Sequence, residues 1–206
     1  MNVRSYGTQA LLVEVDSAAS AAALHARLDT APLPGMLETM PGLQTVLVRF
    51  EPGAVEAASL GRQLAELDFE PGEIIATSGH GAPITVRVAY DGADLDDVAT
   101  HTGLAVDEIV AAHQDAVYRV ALIGMAPGFY FLTGGDPRLQ TPRRPSPRQR
   151  VPRGALGLAG AYTGIYPKNG PGGWQLIGRV LDDLWHPSQL PAALLAPGAA
   201  VRFTAA

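Results

Sequence analysis

Residues 155–180 read ALGLAGAYTGIYPKNGPGGWQLIGRV, and the architecture of the larger part of the chain turns on them. β-Favouring runs, ALGLAGAYTGIY and then WQLIGRV, are cut by glycine and proline at intervals too short for a helix. The texture continues outward: VYRVALIG begins at Val117, AAVRFTA closes the chain, and ITVRVAY (84–90) alternates with period two. Many short strands with glycine corners predict a compact barrel or sandwich. Inside the stretch, GAYTGIYPKNGPGGW (160–174) sets two tyrosines, a threonine, a lysine and a tryptophan among five glycines. Thr163-Gly164 offers a hydroxyl beside backbone that a ligand can approach closely, and Tyr166-Pro167 favours an extended conformation. Such a segment is either an ordered turn whose aromatics cap the barrel or a binding loop.

Between ITVRVAY and VYRVALIG the period changes. DGADLDDVATHTG reads as a short helix with Leu95, Val98 and Thr102 on one side and Gly103 as its stop. LAVDEIVAAHQ reads as a second, with Val106, Ile109, Val110 and His113 on one face.

Before residue 80 the order is different. ALLVEV (10–15) is a strand, and Asp16 and Ser17 then cap an Ala-rich helix carrying Leu24 and Leu28 at i,i+4 spacing. MLETM (36–40) and LQTVLVRF (43–50) are strands about a Pro41-Gly42 turn. A helix with Leu60, Leu64 and Leu67 on one face and a strand at GEIIAT (72–77) complete the series. Strand, helix, strand, strand, helix, strand is the split βαβ pattern of a ferredoxin-like domain. With SGHGAP (78–83) as the joint, the expected organisation is α+β: a small ferredoxin-like domain at 1–80 and a β-barrel domain at 81–206.

Composition narrows the chemistry. The chain has 206 residues, 47% hydrophobic and 17% charged, with no cysteine. Thiolate catalysis and cysteine zinc sites are thereby excluded. A formal net charge of -5 argues against general nucleic-acid binding. The start, MNVRSYGTQALLVEVDS, contains acids and only a short apolar run, so no signal peptide is expected. No apolar run approaches the roughly 20 residues that span a bilayer, and a cytoplasmic protein is expected. There is no P-loop, no GxSxG elbow and no HExxH. The five histidines (25, 80, 101, 113, 186) show no metal-ligand spacing. If the protein catalyses, it shares its site with another chain.

Four groups of residues remain as candidates. His113, on the apolar side of its helix, is either a buried, satisfied ring or a general acid–base. In GMAPGFYFLTGGDPRL (124–139), Phe129 and Phe131 read as packing at a barrel corner, while the hydroxyl of Tyr130 is free to meet a ligand. TPRRPSPRQRVPRG (141–154) packs five arginines and four prolines. It is a solvated loop, a proline-rich ligand or an anion-recognition strip, and spacing alone favours the solvated loop. Thr163, Gly164, Tyr166 and Lys168 belong to the glycine-rich stretch; Lys168 is the only lysine of the chain.

The order GxxPGFxxLxGxDPRLxTPRRxxPRxxVPxGxxGxAGxxTGIYPxxxPGGWxLIGR, from Gly124 to Arg179, resembles the KipI-like family. Its members include the B-type 5-oxoprolinase subunits, a sporulation histidine-kinase inhibitor, and the first-subunit segment of allophanate hydrolase found in urea carboxylases. The resemblance implies a ferredoxin-like domain followed by a cyclophilin-like barrel. It implies one component of an ATP-dependent hydrolase that opens 5-oxoproline to glutamate, inactive alone. It also implies partners: a larger cyclophilin-like component (the C-type 5-oxoprolinase chain, KipA-like) and a third oxoprolinase component. No cofactor would be bound by this chain by itself, and ATP with Mg would be co-substrate of the complex. Other functions within the family are inhibition of a histidine kinase and a carboxyltransferase role on urea-type substrates. For the oxoprolinase function, His113 would move a proton and Thr163, with nearby backbone N–H groups, would polarise the amide carbonyl. Lys168 would stand beside them in catalysis. Arg143 and Arg148 would hold a carboxylate or phosphate, and Tyr130, Gly164 and Tyr166 would contact substrate. Met125 and Tyr162 depart from the family pattern; Tyr162 stands where similar proteins commonly carry glutamine.

Overall fold

The computed structural model describes residues 1–69 and 82–206 and divides the chain into two units, Met1–His80 and Gly81–Ala206. In the first, β1 (Asn2–Ser5), β2 (Ala10–Glu14), α1 (Ala18–Thr30), β3 (Met36–Pro41), β4 (Thr45–Phe50) and α2 (Ala57–Ala65) follow one another. The sheet has the order β1-β2-β4-β3, antiparallel throughout. Leu24 and Leu28 of α1 and Leu60 and Leu64 of α2 are buried with Val13, Val46 and Val48 of the sheet. The expected cap is formed at Ser17, whose hydroxyl accepts the Ser20 N–H at 3.0 Å. The edge strand β1 has no counterpart in the sequence reading. Its residues NVRS are mostly exposed and pair only with β2, so a backbone ladder holds them and no apolar alternation marks them. The strand expected at GEIIAT (72–77) lies outside the described residues.

The second unit contains β5 (Ile84–Ala89), α3 (Leu95–Thr102), α4 (Val106–Asp115), β6 (Tyr118–Ile123), β7 (Tyr130–Thr133), a 3-10 turn (Pro137–Leu139), β8 (Arg148–Val151), β9 (Ala155–Ala159), β10 (Tyr162–Ile165), β11 (Gly170–Gly172), β12 (Gln175–Val180) and β13 (Ala200–Ala205). Seven of these strands close a barrel in the order β10-β7-β6-β13-β5-β12-β9. The pairing of β13 with β5 is parallel, and the other neighbours run antiparallel. Barrel, and not sandwich, is therefore the outcome. Val86, Val88, Tyr118, Val120, Leu132, Leu156, Ile177 and Phe203 fill it. Gly103 ends α3 with φ 75°, as its position predicted.

Two readings change. The buried face of α4 is Ile109, Ala112 and His113, while Val106 is exposed; the helix lies with its small alanine inward. The proline–arginine strip is no free loop: β8 pairs with β11 as a separate ribbon, and Val151 is fully buried. On β10, a Cβ at Gly164 would fall 2.5–3.0 Å from three atoms of the Trp174 ring, so the indole lies where any other side chain would begin. Among the described residues no helix is long and apolar enough to cross a membrane.

Candidate functional site

Helix α4 and strand β10 approach each other inside the barrel unit, and this brings His113 to Thr163. The imidazole is fully buried. Its Nδ1 shares a hydrogen bond of 2.8 Å with the Tyr90 hydroxyl, and its Nε2 one of 3.3 Å with Thr163 Oγ1. The ring lies between Tyr118 and Phe203, with centroids at 5.0 and 4.7 Å. Burial pushes the imidazole pKa down to about 3, so at neutral pH the ring is uncharged. His113 is thus the buried, satisfied ring of the two alternatives. A neutral imidazole bonded at both nitrogens orients Thr163; it is not poised to exchange protons near pH 7. Burial pushes the Tyr90 and Tyr118 hydroxyls up, the nearby Thr163 hydroxyl only tempering the rise at Tyr118, and both stay protonated.

Thr163 also lines a pocket of about 150 Å³. Its walls include Tyr118, the Gly134–Asp136 turn that follows β7, and Gly160–Tyr162 before Thr163. Gly134 turns the chain at φ 92° and lets the backbone pass close to Val117. Tyr162 is half-buried, with its ring edge-on to Phe131 at 6.1 Å. Asp136, the acidic residue of the lining, is engaged with Arg138, whose Nη2 donates to it at 2.6 Å. Those hydrogen bonds hold the Asp136 carboxyl below the usual range. The Tyr118 hydroxyl is buried, with the Thr163 hydroxyl as its polar neighbour.

The arginine strip is organised around a residue the sequence did not single out. Asp94, at the head of α3, is 1% exposed. It accepts from Arg144 Nη1 at 2.6 Å, from Arg148 Nη1 and Nη2 at 2.8 and 2.6 Å, and from the Leu176 N–H at 2.6 Å. Burial works against its ionisation, but the Arg148 bonds, the Leu176 N–H and the two guanidinium charges outweigh it and lower its pKa. Arg148, expected to meet a ligand's anion, therefore grips the chain's own carboxylate. Arg143 stays exposed, with its guanidinium 5.9 Å from the centroid of the Trp174 ring.

The remaining candidates do not join Thr163. The Tyr130 hydroxyl donates to the Leu184 carbonyl at 2.6 Å and is buried. Tyr166 packs edge-on against Phe129 at 4.8 Å. Both border a second hollow of about 30 Å³, room for little more than water. Gly164 is the seat of Trp174, and Lys168 is exposed between β10 and β11. The strand pattern points Tyr90 and Tyr118 toward the interior as core; no local signal ties them to His113. Among the described residues no three His, Asp or Glu side chains gather as a metal-ligand set.

Against this geometry stand the similarities to known proteins. The sequence pattern of the family described as "Carboxyltransferase domain, subdomain C and D" matches residues 1–195. The chain is 33% identical over 200 residues to the 5-oxoprolinase B subunit of Bacillus subtilis, covering 88% of this chain and 80% of that protein. It is 37% identical over 176 residues to the 5-oxoprolinase B subunit of Escherichia coli O157:H7, covering 83% and 78%. The crystal structure of TTHA0988 superposes with a TM-score of 0.77 at 36% identity; all of this chain is covered, but only 40% of that one.

Proposed function

Because this chain belongs to the carboxyltransferase-domain family of subdomains C and D, and its relatives include 5-oxoprolinase B subunits, we propose that it is the B-type component of an ATP-dependent 5-oxoprolinase. In this reading it supplies one wall of a site completed by a larger cyclophilin-like chain and a third component, in the cytoplasm. ATP, with Mg, drives the opening of 5-oxoproline to glutamate in the assembled complex. The first unit is read as ferredoxin-like, supported by the run β2-α1-β3-β4-α2 and the adjacency β2-β4-β3.

The observation that carries the reading is Thr163, held by a neutral buried His113 and facing a small pocket. A lactam carbonyl placed there meets hydroxyl and backbone donors of the kind that stabilise charge developing on oxygen. The pocket lies well below the roughly 300–1,000 Å³ typical of complete ligand sites, which supports a site finished by another chain. Arg143 and Lys168, both exposed, are left to meet the substrate carboxylate or the partner.

Co-expression with the neighbouring components tests this. The complete set should release glutamate from 5-oxoproline in an ATP-dependent manner, and omission of this chain should abolish that release. Full activity without it would sink the proposal.

A further inference from the structure

A neutral imidazole has one N–H and one lone pair, so His113 donates through one nitrogen and accepts through the other. Which nitrogen does which decides what Thr163 can offer. The ring is held from two sides. Tyr90, directly after β5, meets Nδ1 at 2.8 Å, and Thr163 on β10 meets Nε2 at 3.3 Å. Its other close neighbours are the rings of Tyr118 and Phe203, and burial keeps it uncharged. We propose that Tyr90 is a positioning residue: its hydroxyl donates to Nδ1, fixes His113 as the Nε2–H tautomer, and so holds Thr163 as a hydrogen-bond donor. The tautomer rests on the geometry alone; its part in turnover rests on the oxoprolinase reading.

Donor strength and bond length select this sense of the thread. A phenol, with an ordinary pKa of about 10, shares its proton in a hydrogen bond more readily than the aliphatic hydroxyl of threonine. The imidazole lone pair is the strongest acceptor in the thread, and Tyr90 is its better donor. Length agrees. O–H donors bond at about 2.5–3.0 Å and N–H donors at about 2.7–3.2 Å. The 2.8 Å contact suits either donor, whereas the 3.3 Å contact lies just past the N–H range and further past the O–H range. Nε2 is therefore the donor toward Thr163. With one lone pair of Oγ1 taken by Nε2–H, the threonine proton turns away from the ring. It is left for the Tyr118 hydroxyl or for an acceptor entering the pocket that Thr163 lines. The opposite tautomer would consume that proton on Nε2 and leave Thr163 only lone pairs to offer. A carbonyl oxygen gaining negative charge needs the first arrangement.

The test is a long-range 1H–15N correlation spectrum of the full chain, 15N-labelled at its histidine rings, near pH 7. The His113 ring is recognised by its through-space contacts with Tyr118 and Phe203. Nδ1 should resonate as an unprotonated nitrogen and Nε2 as a protonated one. In Tyr90→Phe the Nδ1 signal should move further downfield as its lone pair is freed. In the assembled complex, Tyr90→Phe should lower kcat roughly five- to tenfold, the worth of one hydrogen bond, with KM nearly unchanged. Thr163→Val should lower kcat at least as far, and adding Tyr90→Phe to it should change kcat no further, because the thread then has nothing left to orient. A protonated Nδ1 in the wild-type chain, an unmoved Nδ1 signal in a folded Tyr90→Phe chain, or full additivity of the two substitutions would each overturn the proposal. The wild-type spectrum decides even where a variant fails to fold. An Nε2–H tautomer in a chain whose complete complex releases no glutamate would refute the oxoprolinase reading and leave the tautomer standing.

Discussion

Replacing His113 with phenylalanine tests the claim that this ring is a neutral strut. Its pKa falls from 6.5 to about 3 on burial, so between those values the unfolded chain holds a proton that the folded chain refuses. The sign follows: this contribution to stability is complete above pH 6.5 and is lost as the pH falls below it. The slope for one proton is about 1.4 kcal/mol per pH unit, or about 2 kcal/mol between pH 6.5 and 5. Phenylalanine suits the ring contacts with Tyr118 and Phe203 but abandons the hydroxyls of Tyr90 and Thr163. The variant should therefore be about 1–3 kcal/mol less stable at pH 7 and should close that gap by pH 5. Urea unfolding followed by tryptophan fluorescence reads the barrel unit alone, because Trp174 and Trp185 are the chain's two tryptophans. His25, also lowered by burial, sits in the other unit. Parallel profiles for wild type and variant from pH 7 to 5 would refute the strut.

Three further substitutions have defined outcomes. Asp94→Asn removes the charge that two guanidinium groups share; with both arginines about a quarter exposed, the loss should be about 2–3 kcal/mol at pH 7 by urea unfolding. Because the Asp94 pKa is lowered on folding, its contribution is present above about pH 4 and disappears below it, and the difference from wild type should shrink there. Gly164→Ala drives a methyl group into the Trp174 ring and should cost about 1–3 kcal/mol, seen as a lower thermal midpoint and an altered tryptophan emission. Ser17→Ala removes the α1 cap and should cost about 1 kcal/mol, measured by circular dichroism during urea unfolding.

What the sequence disclosed depended on whether the cause was local. Period-two runs and glycine corners announced the barrel strands, and Ser17 and Gly103 marked helix ends because caps act within a few residues. Strand β1 stayed hidden because an exposed edge of four residues carries no apolar pattern. The face of α4 was misjudged because hydrophobicity alone ranked Val106 above Ala112, whereas close approach rewarded the smaller side chain. In the site, His113 and Thr163 were both legible as candidates, one by its helical position and one by its glycine neighbour. Their meeting across 50 residues was not, nor was the gathering of Arg144 and Arg148 on Asp94, which joins segments about as far apart in the chain.

That gathering bears on how a site of this kind is divided. Five arginines in fourteen residues invite a single anion site, yet Asp94 takes two of them into the frame that joins α3, β8 and β12. On the proposed reading the substrate makes two demands that oppose each other in one small cavity. Its carbonyl gains most from hydroxyl donors in a dry, uncharged surround, where hydrogen bonds are electrostatically strengthened. Its carboxylate needs a cation, and a cation placed in that same cavity would have to shed its water at a cost of several kcal/mol. Separating the two resolves the conflict: a pocket lined, among the described residues, by no cation for the amide on this chain, and a hydrated cation for the carboxylate on an exposed surface or a partner. The division supplies a physical reason for an enzyme of this kind to be built from more than one wall.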